Sequence, residues 1–316
     1  MTFFEDLRPC DISLSTVIDG LYGFFPDIEK NEVQFFYHGT YNVFQVKNRY
    51  IFRVPDKNFR NQKGIDLILR EVKMLQHIRK YVSVPVPDPK YISIDPDCPF
   101  MGYEKIEGIP LHRLFNEIPN AKKLQIANSI GKFLTQLHSK KLCKDAITHN
   151  LLNKIFSCQN YKKDLEQYFD TIRTTVFSLL NESQKDWIEN LFTSFLGNKA
   201  NFKFNFSIIH GDFDTSNILV DPHSFMIRGI VDFEESRIYD RAADFLFYDE
   251  ADFFVKQILT GYKESIDDHF EDRMRFLYGV SCLGYFVFGI NHNLPDLVNR
   301  GFQLLKIRMD RFPKYI

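Results

Sequence analysis

The chain has 316 residues, of which 44% are hydrophobic and 26% charged, with a formal net charge of −1. This composition is typical of a soluble globular protein, and a net charge so near zero excludes a strong field that attracts nucleic acid or a membrane surface. No apolar run reaches membrane-spanning length, and the start lacks the basic and then apolar order of a secretory signal. The five cysteines are scattered without metal-ligand spacing, so we expect reduced thiols in a cytoplasmic protein.

The first third of the sequence predicts an antiparallel sheet accompanied by a long helix. Predicted strands cover residues 33–37, 42–47, 50–54, 91–94 and 100–105, and predicted helices cover 15–25 and 65–78. The second helix has an apolar face at three- and four-residue spacing. Gly39 lies in the turn between the first two strands. A lone glycine there is typical of a plain hairpin turn.

The remainder of the sequence is mainly helical in its periodicity. Predicted helices cover residues 121–138, 164–180, 183–196, 243–259, 271–288 and 294–309. His138, at the end of the first of these, is expected to be structural, and Trp187 to lie in the core.

Residues 207–232 are the most informative part of the chain. Asp212 lies in a short loop after an apolar strand over 207–209, and Asp232 ends another strand over 227–231. The Asp-Pro turn over 221–224 predicts that these two strands fold into a hairpin, which brings Asn217 close to Asp232. Transfer of a phosphoryl group from a nucleoside triphosphate needs a carboxylate facing the acceptor hydroxyl and oxygen ligands for magnesium. Asp212 fits the first requirement, and Asn217 and Asp232 fit the second.

Two charged residues in the first third fit the same chemistry. Arg53 lies in the third predicted strand, where kinases keep a cation for the α- and β-phosphates. Glu71 lies in the middle of the long helix and is a candidate ion-pair partner for it. Arginine has a permanent charge and a planar fork that matches a carboxylate or a phosphate. The alternative is a surface pair, which would contribute under about 1 kcal/mol.

Residues 210–217 read HGDFDTSN and residues 230–233 read IVDF. These segments resemble the HGDxxxxN and IxDF motifs of the aminoglycoside phosphotransferase family, nearest to its 2″-phosphotransferase branch. The resemblance implies an α+β fold of the protein-kinase type with two lobes. Residues 1–104 would form a nucleotide-binding lobe of antiparallel sheet and helix, and residues 105–316 a mainly helical lobe for catalysis and acceptor binding.

The same resemblance assigns roles to single residues. It implies that Asp212 is catalytic and that Asn217 and Asp232 are magnesium ligands. It also implies that the turn of Gly39 covers the triphosphate. A further family aspartate, which braces the loop that follows the metal-binding aspartate, corresponds to either Asp240 or Asp244.

Residues 100–111 resemble the hinge of the family. Backbone groups from Glu104 to Ile106 would pair with the purine edge of ATP or GTP. Tyr103 would guard the back of the base pocket, and in the 2″ branch a bulky aromatic residue there accompanies preference for guanine nucleotides. Simple core packing is the alternative interpretation of Tyr103.

The acceptor site is less well defined by the sequence. The family lines it with carboxylates that bind polycationic aminoglycosides, and five acidic residues are candidates here: Asp214, Glu234, Glu235, Asp249 and Glu250. A solvated acidic surface is the alternative for these residues. The chain also departs from the 2″ branch at Ser216, Glu234 and Arg300.

The sequence therefore predicts a magnesium-dependent phosphotransferase that moves the γ-phosphoryl group of ATP or GTP to a hydroxyl of an aminoglycoside, as in antibiotic resistance. One alternative is a kinase of another small molecule, such as a macrolide or a choline-like or homoserine-like metabolite, or of a protein hydroxyl. Another is a nucleotide-binding module without transfer activity. The expected partners are a nucleoside triphosphate and a small hydroxyl acceptor, with no nucleic acid or membrane, for a monomeric protein.

Overall fold

The structure is a computed structural model, and it describes residues 9–149, 151 and 157–313. The chain divides into two compact units. The first unit comprises Met1–Ile126, Asp145–Leu151 and Thr215–Ser236, and the second comprises Ala127–Lys144, Leu152–Asp214 and Arg237–Ile316. Each unit is described separately below.

The strands are, in chain order, β1 (Val33–His38), β2 (Tyr41–Val46), β3 (Tyr50–Pro55), β4 (Tyr91–Ser93), β5 (Phe100–Glu104), β6 (Ile109–Pro110), β7 (Phe206–Ile209), β8 (Ile218–Val220), β9 (Ile227–Ile230) and β10 (Arg237–Asp240). The α-helices are α1 (Leu14–Leu21), α2 (Gln62–Ile78), α3 (Leu111–Leu114), α4 (Asn120–Leu137), α5 (Lys140–Thr148), α6 (Cys158–Thr175), α7 (Glu182–Gly197), α8 (Asp252–Gly261), α9 (Phe270–Ser281), α10 (Leu283–Asn291) and α11 (Pro295–Arg311).

The first unit is built on a five-stranded antiparallel sheet in the order β1-β2-β3-β5-β4. Phe44, Phe52 and Phe100 are fully buried in the core on this sheet, together with residues of α1. Helix α2 begins where the Asn61 side chain accepts a hydrogen bond from the Lys63 amide, as helix-capping residues do. The predicted sheet with its long helix is therefore confirmed.

A second, three-stranded sheet in the first unit has the order β6-β8-β9. The prediction that the 221–224 turn joins a hairpin is confirmed, but the strand before the turn is β8 and not the strand over 207–209. Strand β7, which contains that earlier segment, pairs with β10 instead. The prediction of the strand pair was wrong because hydrogen bonding between distant segments decides a partner, whereas local apolar runs decide only that a strand forms.

The second unit is mainly helical, as predicted. Two predicted helices are broken, however. Residues 241–249 form 3-10 turns, with Asp244 at the non-helical angles φ −93° and ψ 15°, before α8 begins at Asp252. The predicted helix over 271–288 is divided between α9 and α10 at Cys282, whose thiol donates a hydrogen bond to the Gly279 carbonyl at 3.3 Å. In the described part of the chain, no helix is both long and apolar enough to cross a membrane.

Candidate active site

The turn between β1 and β2 is held by hydrogen bonds on both sides. The Gly39 amide donates to the Tyr41 carbonyl at 3.0 Å, and the Asp56 amide, just after β3, donates to the Thr40 carbonyl at 2.9 Å. The Thr40 side chain also hydrogen-bonds to the Glu234 carboxylate. The turn that was predicted to cover the triphosphate is therefore fixed beside the segment that follows β9.

Arg53 is the centre of a cluster of charged side chains in the first unit. It is only 4% exposed, and its guanidinium lies 4.2 Å from the centre of the Tyr41 ring. One terminal nitrogen donates to Glu71 Oε1 at 2.5 Å. The other donates to Asp232 Oδ1 at 2.6 Å and to Glu234 Oε2 at 3.2 Å. The structure thus brings together the predicted pair Arg53 and Glu71, the predicted metal ligand Asp232 and the predicted acceptor residue Glu234.

Three carboxylates share one guanidinium in this cluster, so its negative charge is in excess. Burial raises the pKa of Glu71 to about 7, although the Arg53 charge opposes the rise. Burial and the neighbouring charge of Asp232 raise the pKa of Glu234 well above its ordinary range. Within the described residues, Glu71 Oε2 is buried without a hydrogen-bond partner. A divalent cation at this cluster would compensate the excess charge.

Asn217 immediately precedes β8, and Asp232 lies two residues after the end of β9, so both are at the open end of the β8–β9 hairpin. The Val231 amide donates to the Asn217 carbonyl at 3.0 Å, one residue before Asp232. Asp232 has a φ of 68°, in the left-handed region that residues other than glycine adopt at an energetic cost. The hairpin therefore supplies a carboxylate and an amide oxygen from neighbouring backbone positions. This donor chemistry fits magnesium, which prefers hard oxygen ligands.

The predicted hinge residues lie at the end of β5, which contains Tyr103 and Glu104, and just after it, at Ile106. Tyr103 is 5% exposed and pairs with Ile51 of β3. The Glu104 side chain is exposed and accepts hydrogen bonds from the Arg49 guanidinium at 3.0 and 3.1 Å. Ile106 is half-buried, with its side chain close to the backbone of β9. The Glu104 carboxylate thus binds Arg49. If this segment recognises the base, its backbone amide and carbonyl groups would form the hydrogen bonds.

Asp212 belongs to the second unit and follows β7. It is exposed, and the residue before it, Gly211, has a φ of 92°. A glycine is suited to this position because a Cβ atom would make that backbone angle unfavourable. The HGD sequence therefore serves a local purpose, which is to let the chain turn sharply immediately before Asp212.

Asp244 braces the backbone of this loop. Its carboxylate accepts hydrogen bonds from the His210 amide at 2.7 Å and from the Gly211 amide at 3.0 Å. His138 Nε2 lies 3.0 Å from the same carboxylate, and His138 Nδ1 lies 3.1 Å from the Tyr262 hydroxyl. Because a carboxylate only accepts, Nε2 carries the hydrogen and Nδ1 accepts from Tyr262. Burial lowers the pKa of His138, which favours this neutral form.

The two aspartates that the sequence left as alternatives have different partners. Asp244 contacts the loop of His210 and Gly211, whereas Asp240 accepts a hydrogen bond from Arg273 Nε at 2.8 Å and from the Ala242 amide at 3.1 Å. That one of them braces the loop after Asp232 stays a prediction. Burial would raise the pKa of Asp244, but the hydrogen bonds from His138 and from the Gly211 amide lower it overall, which keeps this carboxylate ionised. His138 is structural, as predicted.

The five acidic acceptor candidates have different surroundings. Asp214 and Glu235 are exposed, and Glu250 is half-buried. Asp249 accepts hydrogen bonds from Arg308, at 2.9 Å through both oxygens, and from the Tyr278 hydroxyl at 2.5 Å. Glu234 binds Arg53, as described above. A role of these residues in acceptor binding stays a prediction.

Sequence reasoning missed three residues that hold this machinery in place. Tyr262 orients His138, Arg308 binds Asp249, and Thr40 binds Glu234. Each contact joins positions far apart in the chain, and no local motif marks them. The only sequence signal was the occurrence of His138 at the end of a long helix, which indicated a structural histidine without naming its partner.

Comparisons with known proteins bear on the family and the fold of the chain. Residues 32–248 match the model of a family described as the phosphotransferase enzyme family. The GDP complex of wild-type aminoglycoside 2'-phosphotransferase-IIIa is similar with a TM-score of 0.82 and 22% sequence identity, covering 94% of this chain and 98% of that one. The macrolide 2'-phosphotransferase MphH from Brachybacterium faecium is similar with a TM-score of 0.70 and 15% identity, covering 92% and 97%. At these identities the likeness concerns the fold.

Proposed function

Because the chain belongs to the phosphotransferase enzyme family, we propose that it moves the γ-phosphoryl group of ATP or GTP to a hydroxyl of an aminoglycoside. The observation that carries the proposal is the Arg53 cluster. A buried arginine binds both the helix glutamate Glu71 and the hairpin carboxylate Asp232, and this is the charge arrangement that kinases use for a nucleotide with its metal ion.

The proposed mechanism assigns one task to each residue. The acceptor hydroxyl oxygen forms a bond to the γ-phosphorus, the bond from that phosphorus to the bridging oxygen breaks, and the nucleoside diphosphate leaves. Asp212 orients the hydroxyl and takes up its proton. Asn217 and Asp232 hold the magnesium ion, which supplies positive charge for the phosphate oxygens. Arg53 adds a permanent charge for the α- and β-phosphates.

The two parts of the chain have different proposed roles. Residues 1–104 bind the nucleotide, and residues 105–316 provide the catalytic residues and bind the acceptor. Both GDP and ADP occur in the structures of similar proteins, which supports a nucleotide donor for this chain.

The role of Asp212 is tested by substitution. Asp212→Ala should abolish phosphate transfer, measured as a mass shift of the acceptor, while nucleotide affinity stays within about twofold, because Asp212 acts on the acceptor. Asp66→Ala, which removes an exposed aspartate of α2, is the matched control and should retain transfer. Undiminished transfer by Asp212→Ala would reject its assigned role. A wild-type protein that binds nucleotide without transfer to any acceptor would favour a binding module.

We propose that GTP is used at least as well as ATP. The support is Tyr103, whose side chain is buried at the predicted hinge. In the 2″-phosphotransferase branch, an aromatic residue at this position accompanies a preference for guanine nucleotides. The test compares the initial rates of transfer with each nucleotide at equal concentration. A rate confined to ATP would refute this preference.

A second candidate function, transfer to an acceptor without several positive charges, is favoured by one observation. Asp249 already binds Arg308 and Tyr278, so it offers less unpaired negative charge to a polycation. The macrolide phosphotransferase among the similar structures is consistent with such an acceptor. A panel of aminoglycosides, macrolides and small amino alcohols, read by a phosphate mass shift, decides between the two. Transfer to a macrolide alone would replace the first proposal with the second.

A further inference from the structure

A cavity of about 420 Å³ in the second unit lies outside the residues assigned to phosphoryl transfer. Its lining includes Lys203, Phe204, Asn205, Arg241 and Ser265. A cavity of this size falls in the range of small-molecule sites, which is about 300–1,000 Å³. Its lining combines two cations, an amide, a hydroxyl and an aromatic ring.

Arg241 is the informative residue of this cavity. It is 4% exposed, and its guanidinium donates to the Tyr262 hydroxyl at 3.1 Å and to the Ser265 carbonyl at 2.9 Å. Among the described residues, none contributes a carboxylate oxygen within 4.0 Å of this guanidinium. Buried charges in proteins are normally paired, because an unpaired ion loses its hydration without compensation. Arg241 is therefore a buried cation at which an anion would be stabilised.

The position of Arg241 prevents it from turning to another partner. The Tyr262 hydroxyl that accepts its hydrogen bond itself donates to His138, so the direction of the contact is set by a chain of buried groups. The bond to the Ser265 carbonyl holds a second terminal nitrogen. The guanidinium is consequently fixed at the wall of the cavity, where no described carboxylate lies within ion-pair distance of it.

The acidic residue at the cavity does not supply that compensation. Asp267 also lines it, but its two oxygens accept hydrogen bonds from Arg273 at 2.7 and 2.8 Å. Although burial opposes the change, these contacts lower the pKa of Asp267, so its charge is committed to Arg273. Lys203 adds an exposed ammonium group with no ion-pair partner in the described part of the chain.

We propose that this cavity is a binding site for a phosphate-type oxyanion, held between the guanidinium of Arg241 and the ammonium of Lys203. A phosphate group matches the fork of an arginine and accepts further hydrogen bonds from amide and hydroxyl donors such as Asn205 and Ser265. The ring of Phe204 would contact an apolar part of a ligand that carries the phosphate. Free phosphate and a small phosphomonoester share this chemistry.

The test is calorimetric titration of the full chain with inorganic phosphate, in a buffer without other oxyanions and with magnesium ADP saturating the donor site. We expect binding that Lys203→Gln weakens by about fivefold or more, because a charge-assisted hydrogen bond is lost. Lys199→Gln removes an exposed lysine four positions earlier, outside the cavity lining, and should leave the affinity unchanged. Both substitutions are at exposed positions, so both variants should keep the melting temperature of the wild type.

A second variant addresses the buried cation. Arg241→Lys retains the charge but loses the planar fork, so phosphate should bind more weakly to it than to the wild type. A wild-type chain that binds no phosphate under these conditions would overturn the proposal. Equal affinities for the wild type, Lys203→Gln and Arg241→Lys would also overturn it, because binding would then occur elsewhere. A stronger response to glucose 6-phosphate than to phosphate would identify a phosphomonoester as the source of the oxyanion.

Discussion

The guanidinium of Arg53 donates a 2.6 Å hydrogen bond to Asp232, the carboxylate that is proposed to hold magnesium. The same guanidinium reaches Glu71 at 2.5 Å, so one arginine connects the central sheet, helix α2 and the β8–β9 hairpin. A lysine has a single ammonium nitrogen and cannot place two separate nitrogen atoms against carboxylates on different elements. The arginine is therefore a requirement of this geometry.

Arg53→Lys should raise the nucleotide KM by about tenfold while kcat falls less, because charge is kept and bidentate positioning is lost. Steady-state kinetics with varied nucleotide measures the effect. Arg79→Lys is the matched control, since Arg79 forms an exposed ion pair with Asp88 in the same unit. An unchanged KM in Arg53→Lys would contradict the importance of the fork.

Asp244→Asn should lower kcat at least tenfold with little change in nucleotide affinity. The asparagine side chain has only one oxygen, so it cannot accept from both the His210 and Gly211 amides, and the loop that carries Asp212 loses a brace. Comparison of kcat with the nucleotide KM separates this effect from a general loss of folded protein. The thermal unfolding curve gives the fraction of enzyme that is folded at the assay temperature. If kcat falls only in proportion to that fraction, Asp244 has no positioning role.

Asp240 and Asp267 both bind Arg273 but should respond oppositely to pH. Burial raises the pKa of Asp240 to about 6 from an ordinary value of 3.8, so its contribution to the unfolding free energy is largest in acid and declines as the pH rises towards about 6. The decline should be on the order of 2–3 kcal/mol. The pKa of Asp267 is lowered, so its stabilising contribution is present above its ordinary pKa and is lost as the pH falls.

Urea unfolding of the wild type, Asp240→Asn and Asp267→Asn, from pH values below 3.8 up to about 6, measures both effects. The difference in unfolding free energy between the wild type and Asp240→Asn should shrink as the pH rises from 3.8 to about 6. The difference from Asp267→Asn should grow as the pH rises towards 3.8. If both differences in unfolding free energy change in the same direction with pH, the pKa of Asp240 is not raised while that of Asp267 is lowered.

Gly131→Ala in α4 should destabilise the second unit by about 2 kcal/mol or more, because the added methyl group would overlap the backbone. An ideal Cβ at Gly131 would lie 2.2 Å from the Ile258 carbonyl oxygen. Gly284→Ala in α10 is the matched control, since nothing lies within 4 Å of its Cβ position. That control should be neutral or stabilising by up to about 1 kcal/mol, because alanine favours helix. Thermal unfolding of both variants measures the contrast, and equal melting temperatures would refute the close approach of α4 and α8.

The amino-acid sequence by itself determined the sheet with its long helix, the helical remainder and the segments that contain Asp212, Asn217 and Asp232. These features follow from local causes, namely apolar periodicity, turn residues and short motifs, which act over a few neighbouring positions. The hairpin turn over 221–224 was predictable for the same reason.

Only the tertiary structure decided which side chains meet. It showed that Asp244 and not Asp240 accepts hydrogen bonds from the His210 and Gly211 amides, that Glu234 binds Arg53, and that β7 pairs with β10. Asp240 and Asp244 are both acidic, both buried and four positions apart, so no local rule distinguishes them. Their partners lie far along the chain, and burial selects such contacts because each buried charge must find a hydrogen-bonding or ionic partner.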